Sequence, residues 1–165
     1  MRLVILGAGG YGRTVADVTE QSGKYKSILL LYDAGAIKCN DYVNYISADT
    51  EFFPAFGNNQ DRVDWLHRLA DSGCKLSTLV HPTAYVSPRA KLLPGTVVLP
   101  HAIVNTDCEV KAGCIINCGA IIDHGCVLEE GVHVGLGAVI KAENRIPSCM
   151  KIEAGRVIEN RTYSL

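Results

Sequence analysis

Aromatic residues are scarce in this sequence. Tyrosine, phenylalanine and tryptophan make up 7% of it, with a single tryptophan. A core with so few large rings must be built from aliphatic and small side chains. Excess charge of either sign is missing too: 16 Lys and Arg face 17 Asp and Glu, for a net charge of −1. That excludes the clustered basic footprint of a nucleic-acid binder. No apolar run approaches the roughly 18 residues of a membrane span, so no membrane insertion is expected. Met1 leads directly into a strand pattern rather than a charged leader, which predicts a cytoplasmic protein. The seven cysteines include no C-x-x-C pair. They offer no metal-site spacing, and they read as small buried hydrophobes in a reducing compartment.

What the sequence has in abundance is a period of six. An aliphatic residue returns at Val80, Val86, Leu92, Val98, Val104, Val110, Ile116, Ile122, Leu128, Val134 and Ile140. Four positions after each anchor comes a mostly small residue: Ala84, Ala90, Thr96, Ala102, Cys108, Cys114, Ala120, Cys126, Val132 and Ala138. A strand alternates with period two and a helix with period near 3.6, so neither explains this. A hexapeptide repeat is the signature of a parallel β-helix, whose units bury their apolar face only by stacking. Three hexads make one triangular coil, and equivalent residues of successive coils stack about 4.8 Å apart. The frame continues nominally through Ile146, Ile152 and Ile158, but Asn144, Met150 and Arg156 then occupy the small slots. The regular prism is therefore expected to end near Ile140.

The segment before the repeat follows another rule. Arg2–Leu6 reads as a buried strand, Gly7-Ala-Gly-Gly-Tyr-Gly12 as a glycine loop, Tyr11–Gln21 as a helix stopped by Gly23, and Ser27–Tyr32 as a strand ending in Asp33. In this context G-x-G-x-x-G lets a phosphate approach the backbone at a helix N-terminus. Asp33 stands where an acid binds ribose in such units. The alternative is a glycine turn made for helix–strand packing alone. Tyr32, Tyr42 and Tyr45 either wall a base or sugar ring or fill a surface groove. Glu51–Phe56 and Lys75–Val80 read as further strands flanking a helix over Gln60–Ser72, with Val63, Leu66 and Ala70 inward, Asn59 as N-cap and Gly73 as C-cap. The predicted organisation is a Rossmann-like α/β half-domain over 1–79, a β-helix over 80–140 and a C-terminal cap over 141–165. Only one mononucleotide half fits the first domain, which argues for a nucleotide or nucleotide sugar rather than a dinucleotide.

Among the histidines, His67 reads as structural or exposed, while His124 and His133 stand out. His124 follows an inward anchor by two and is expected outward near a corner, where neutral imidazole can take a proton from an attacking amine or hydroxyl. Asp123 adjoins it but, if extended, faces the other way. His133 lies half a coil further on, so the two occupy different sides of the prism and meet only if prisms pack side by side. Both also suit a solvated wall.

Taken in order, Gly7-Ala-Gly-Gly-Tyr-Gly12, Asp33, Phe56-Gly-Asn-Asn59, Val80-His-Pro-Thr-Ala-Tyr-Val86 and Ile116-Asn-Cys-Gly-Ala-Ile-Ile-Asp-His-Gly-Cys126 resemble the NeuD/PglD-like sugar O- and N-acyltransferases. The resemblance covers nearly the whole chain. It implies a nucleotide-sugar-binding domain, a left-handed parallel β-helix, a homotrimer, acetyl-CoA as co-substrate, no metal, and a role in cell-surface polysaccharide biosynthesis. It implies that His124 is the catalytic histidine, that His133 lines the acyl-transfer site, and that Asn117 is a polar active-site position. Gly7, Gly9, Gly10, Gly12, Asp33, Asn58 and Asn59 match the region holding the nucleotide. Gly135 and Gly137 are expected near coenzyme A, with backbone N–H groups available to a developing oxyanion. Two departures accompany the match. Gly125 stands where the N-acetyltransferase branch often has Glu, and the expected end at Ile140 removes coils that line the coenzyme A channel. On that second ground a non-catalytic nucleotide-sugar-binding trimer, acting as scaffold or regulatory subunit, is the alternative.

Overall fold

The structure, a computed structural model, describes residues 1–164. Its first part is a four-stranded parallel sheet in the order β2-β1-β3-β4, formed by β1 (Arg2–Leu6), β2 (Ser27–Leu31), β3 (Thr50–Pro54) and β4 (Lys75–Leu76). Helix α1 (Gly10–Ser22) joins β1 to β2, and α2 (Asn59–Asp71) joins β3 to β4. β1 is apolar on both faces, with Leu3, Val4, Ile5 and Leu6 all buried, as expected of a central parallel strand covered on both sides. Gly23 ends α1 in the left-handed conformation at φ 63°, the usual helix stop. α2 begins one residue earlier than the sequence pattern predicts. Asn58, not Asn59, is its N-cap, with Oδ1 accepting the Asp61 N–H at 3.1 Å.

The predicted strand over Lys75–Val80 divides. Lys75–Leu76 stays in the sheet, whereas Leu79–Val80 opens the prism. From there the chain winds through three parallel walls of two-residue strands. The first wall holds Leu79–Val80, Val97–Val98, Ile115–Ile116, His133–Val134 and Lys151–Ile152. The second holds Tyr85–Val86, Ile103–Val104, Ile121–Ile122, Val139–Ile140 and Val157–Ile158. The third holds Lys91–Leu92, Glu109–Val110, Val127–Leu128 and Arg145–Ile146. Partners are 18 residues apart, as in Ile115 opposite Val97 and His133. Most aliphatic anchors are fully buried inside the prism.

The prism does not end at Ile140. Ile146, Ile152 and Ile158 continue its core, and their strands pair with the coil above. The reason lies in the small slot, which is more than a steric gap. Thr96 Oγ1 donates to the Lys111 carbonyl at 3.0 Å, Cys108 Sγ to Asp123 O at 3.0 Å, Cys114 Sγ to Glu129 O at 3.2 Å and Cys126 Sγ to Lys141 O at 3.2 Å. Each bond spans 15 residues. Asn144 extends the same pattern: its Nδ2 donates to Glu159 O and Lys141 O, each at 2.8 Å, and its Oδ1 accepts the Tyr163 N–H at 2.9 Å. A buried polar side chain is tolerated when its hydrogen bonds are made. Met150 is half-buried against the core, and Arg156 turns out to solvent. The cysteines accordingly act as buried thiol donors as well as small apolar groups.

The two parts are locked by a residue that the sequence pattern passes over. Arg62 sits on the inner face of α2 beside Val63, Leu66 and Leu69, while Ala70 is exposed. Its side chain is completely buried. Nε donates to Gly113 O at 2.7 Å, Nη1 to Phe56 O and Asn58 O, and Nη2 to Asn59 Oδ1 and to Gly131 O at 2.8 Å. All five guanidinium N–H groups are thus used. Gly131 is required here, because a Cβ would stand 2.5 Å from Val63. Arg62→Leu leaves the buried Gly113 and Gly131 carbonyls without donors and should cost about 3 kcal/mol. Urea denaturation of the two proteins measures it.

Candidate active site

The glycine loop forms one side of a cavity of about 390 Å³. Gly7 adopts φ 103°, and a Cβ on Gly12 would fall 1.9 Å from the Gly7 carbonyl oxygen, so strand and helix can meet only through glycine. Gly9 and Gly10 face open space instead. Gly9 caps α1 without a side-chain hydrogen bond, so the first-turn N–H groups and the positive end of the helix dipole remain available to an anion. Tyr32, Asp33, Cys39 and Phe56 line the opposite side. Asp33 is exposed and already engaged, its Oδ1 accepting the Cys39 N–H at 2.8 Å. Behind the cavity Phe56 stacks on Trp65 at 5.6 Å, and Arg68 lies 4.6 Å over the Trp65 ring. Of the three tyrosines singled out in the sequence only Tyr32 reaches the cavity. Tyr42 is buried edge-on to Phe52 and Trp65 and pairs with Ser72.

Asn58 and Asn59 do not join the glycine loop. Asn58 caps α2, and Asn59 bridges Arg62 to the Cys149 carbonyl, with Nδ2 donating at 2.9 Å. They line a second cleft of about 380 Å³ with Gln60, Cys149 and Lys151, sharing Gly57 with the first cavity.

The prism brings Asn117 and His133 together. Asn117 follows the Ile115–Ile116 strand, and His133 points outward from the same wall one coil below. Asn117 Oδ1 accepts the Cys118 N–H at 2.9 Å, which turns its Nδ2 toward His133 Nε2 at 3.3 Å. An amide N–H donates, so Nε2 is the accepting nitrogen and Nδ1 carries the ring proton. Burial, with Arg62 and Lys151 nearby, pushes the His133 imidazole down to about 4. It stays neutral at pH 7.

His124 lies elsewhere, in the turn between the second and third walls, with 54% of its side chain exposed. Asp123 is its partner after all. The turn geometry replaces the strand alternation assumed from sequence, so Asp123 Oδ1 accepts the His124 backbone N–H at 2.7 Å and lies 3.0 Å from Nδ1. Those bonds hold the Asp123 carboxyl below its ordinary value, the backbone N–H contributing most. Gly125 leaves a notch beside the ring, and Glu143 from the next coil borders it, 3.6 Å from where a Cβ would stand.

The oxyanion role expected of Gly135 and Gly137 is not supported. The Gly135 N–H donates to Ile152 O at 2.8 Å and the Gly137 N–H to Cys118 O at 2.9 Å. Both donors are consumed by the coil-to-coil ladder, which the continued prism extends past Ile140. Gly135 instead provides closeness, since a Cβ there would stand 2.6 Å from the Ile152 carbonyl oxygen. Arg62 and Tyr11 were missed from sequence. An arginine in helical register with Leu66 and Leu69 was the available sign for the first.

Because His133 binds its proton only near pH 4 when folded but near 6.5 when unfolded, its contribution to stability is complete above about pH 6.5 and is lost as pH falls toward 4. His133→Asn should flatten the decline of melting temperature over that window. An unchanged slope would contradict the burial.

Residues 2–69 match the family model of the PglD N-terminal domain. The acetyltransferase domain of PglB from Neisseria gonorrhoeae FA1090, solved in complex with acetyl coenzyme A, superposes with a TM-score of 0.92 at 32% identity, covering 97% of this chain and 82% of that one. A second structure of that domain gives 0.87 at 30% identity, covering 96% and 91%. A variant of perosamine N-acetyltransferase from Caulobacter crescentus, in complex with CoA and GDP-perosamine, shares the fold with a TM-score of 0.70 at 24% identity, over 97% of this chain and 89% of that one. With an α/β cavity, a hexapeptide prism and this degree of likeness along nearly its full length, the chain belongs to the NeuD/PglD-like sugar acyltransferase family.

Proposed function

We propose that the protein is an acetyl-CoA-dependent acetyltransferase acting on an amino or hydroxyl group of a nucleotide-linked or sialic-acid-type sugar. The observation that carries the reading is the His124–Asp123 pair. Asp123 occupies Nδ1, which leaves Nε2 of this half-exposed ring available to act as a base. The glycine-loop cavity, with Asp33, Tyr32 and Phe56, suits the nucleotide of the acceptor, and α1 offers its N-terminus to the phosphates. His124 Nε2 takes a proton from the acceptor nitrogen or oxygen as that atom attacks the thioester carbonyl. The C–S bond then breaks, and the imidazolium returns the proton to the departing thiolate. Asp123 orients the ring through the contact to Nδ1. An acetylated nucleotide sugar suits a cytoplasmic step that supplies cell-surface polysaccharide assembly.

The site is completed by a second copy. The outward column of the first wall is covered by the N-terminal domain at Leu79, Val97 and Ile115. The third wall's column, Lys91, Glu109, Val127 and Arg145, is largely charged. The second wall alone shows an uncovered apolar column: Tyr85, Ile103, Ile121, Val139 and Val157. Three prisms with second walls facing a common axis bury it, as a homotrimer does. Such a ring sets the His124 edge of one protomer against the Asn117–His133 edge of the next. The alternative of a non-catalytic scaffold loses part of its basis, since one further coil follows Ile140.

His124→Ala should lower kcat by roughly 10²–10⁴-fold in acetyl-transfer assays while remaining trimeric; near-wild-type turnover would sink the assignment. Ile121→Asp should dissociate the assembly in light scattering. Co-expressing inactive His124→Ala with inactive His133→Ala should restore activity in mixed trimers, because some interfaces then carry both wild-type residues. No recovery in confirmed mixed trimers would rule out a shared site.

A further inference from the structure

Among the described residues, two buried side-chain polar atoms lack a hydrogen-bond partner: Tyr11 Oη and His133 Nδ1. They belong to one seam, where the first turn of α1 meets the first wall. Tyr11 packs on the cluster that contains Ile115, and Ile115 is the neighbour of His133 in register. Arg62 borders both groups, bound to the turns at Gly113 and Gly131, and its charge is felt by the phenol and by the imidazole. Arg62 serves neither, because its five N–H groups are spent on other acceptors.

The tautomer of His133 makes the need specific. With Nε2 accepting from Asn117, the buried Nδ1 is a donor that requires an acceptor. The Tyr11 hydroxyl both donates and accepts, yet the two atoms make no direct bond. One water between them would satisfy both at once, the role that buried waters play in polar seams. We propose that Tyr11 is a positioning residue for His133, acting through one water held between its hydroxyl and Nδ1–H. The water accepts from Nδ1–H and bonds to Oη, so the ring is fixed from both edges: Asn117 on Nε2, the water on Nδ1. Tyr11 also lines the glycine-loop cavity. The link therefore runs from the acceptor cavity to the acyl-transfer edge. Its catalytic consequence rests on the acetyltransferase reading, whereas the water and the tautomer are properties of the free protein.

Two measurements on the full chain test this. A long-range proton–nitrogen spectrum, with His133 assigned through His133→Asn, should show the Nδ1–H tautomer at neutral pH. A high-resolution crystal structure should show one water within hydrogen-bonding distance of both atoms. Tyr11→Phe keeps the ring and removes the hydroxyl. It should shift His133 to a mixture of tautomers and lower kcat about tenfold, the worth of one hydrogen bond. The KM for the acceptor should change less than about twofold, since the ring that lines the cavity is kept and the hydroxyl removed is buried. A dry seam in the wild-type crystal, or a Tyr11→Phe protein with unaltered His133 spectrum and kcat, overturns the proposal. If Tyr11→Phe does not fold, the wild-type spectrum and crystal structure decide. A wild-type protein with the water in place but no acetyl transfer would defeat the proposed activity and leave the seam standing.

Discussion

Arg62 is the interaction on which the rest depends. A guanidinium with no carboxylate beside it among the described residues is costly to bury, and it persists here because every N–H meets an oxygen. Burial pulls it below the ordinary arginine value. Its acceptors come from both halves of the molecule: the turn before α2 on one side, the prism turns at Gly113 and Gly131 on the other. Those turns are glycine for a reason of space. Leu66 and Val63 of α2 lie where side chains at Gly95 and Gly131 would stand. Charge, helix and glycine column therefore specify a single docking of the α/β domain onto the prism.

That docking gives the three walls different fates from one repeating sequence. The first wall is roofed by the domain, so its outward positions are apolar until His133, where the roof becomes polar and the imidazole is held neutral. The third wall faces solvent with Lys91, Glu109 and Arg145. The ion pairs around its edge, such as Arg89 with Asp107 and Arg161 with Glu143, join residues 18 apart on the outside of adjacent coils. Exposed pairs of this kind are screened by solvent and add little, and the prism is held instead by its backbone ladder and aliphatic fill. The second wall is neither roofed nor charged, and it separates the Asn117 corner from the His124 corner.

The two histidines illustrate how similar chemistry acquires different roles through place. His124 is exposed, its Nδ1 taken by Asp123, its other nitrogen free to work as a base. His133 is desolvated, its Nε2 committed to Asn117. A residue in the second state is suited to holding shape, and one in the first to the proton transfer proposed for it.

By itself the sequence determined the repeat and what the repeat requires: parallel coils, inward aliphatics, histidines on separate faces, and a glycine loop before a helix. These are local or periodic features, carried by residue types at fixed spacing. It misjudged the last coil because Asn144 is too polar for a small apolar slot unless the carbonyls of Lys141 and Glu159 are known to face it. It misjudged Asp123 because a turn, not a strand, sets that side chain's direction. It was silent on Arg62 and Tyr11, whose meaning depends on partners far along the chain. Spacing fixes which face a residue occupies. Which faces are covered, and which polar atoms are thereby left needing a partner, was decided only when the domain closed on the prism.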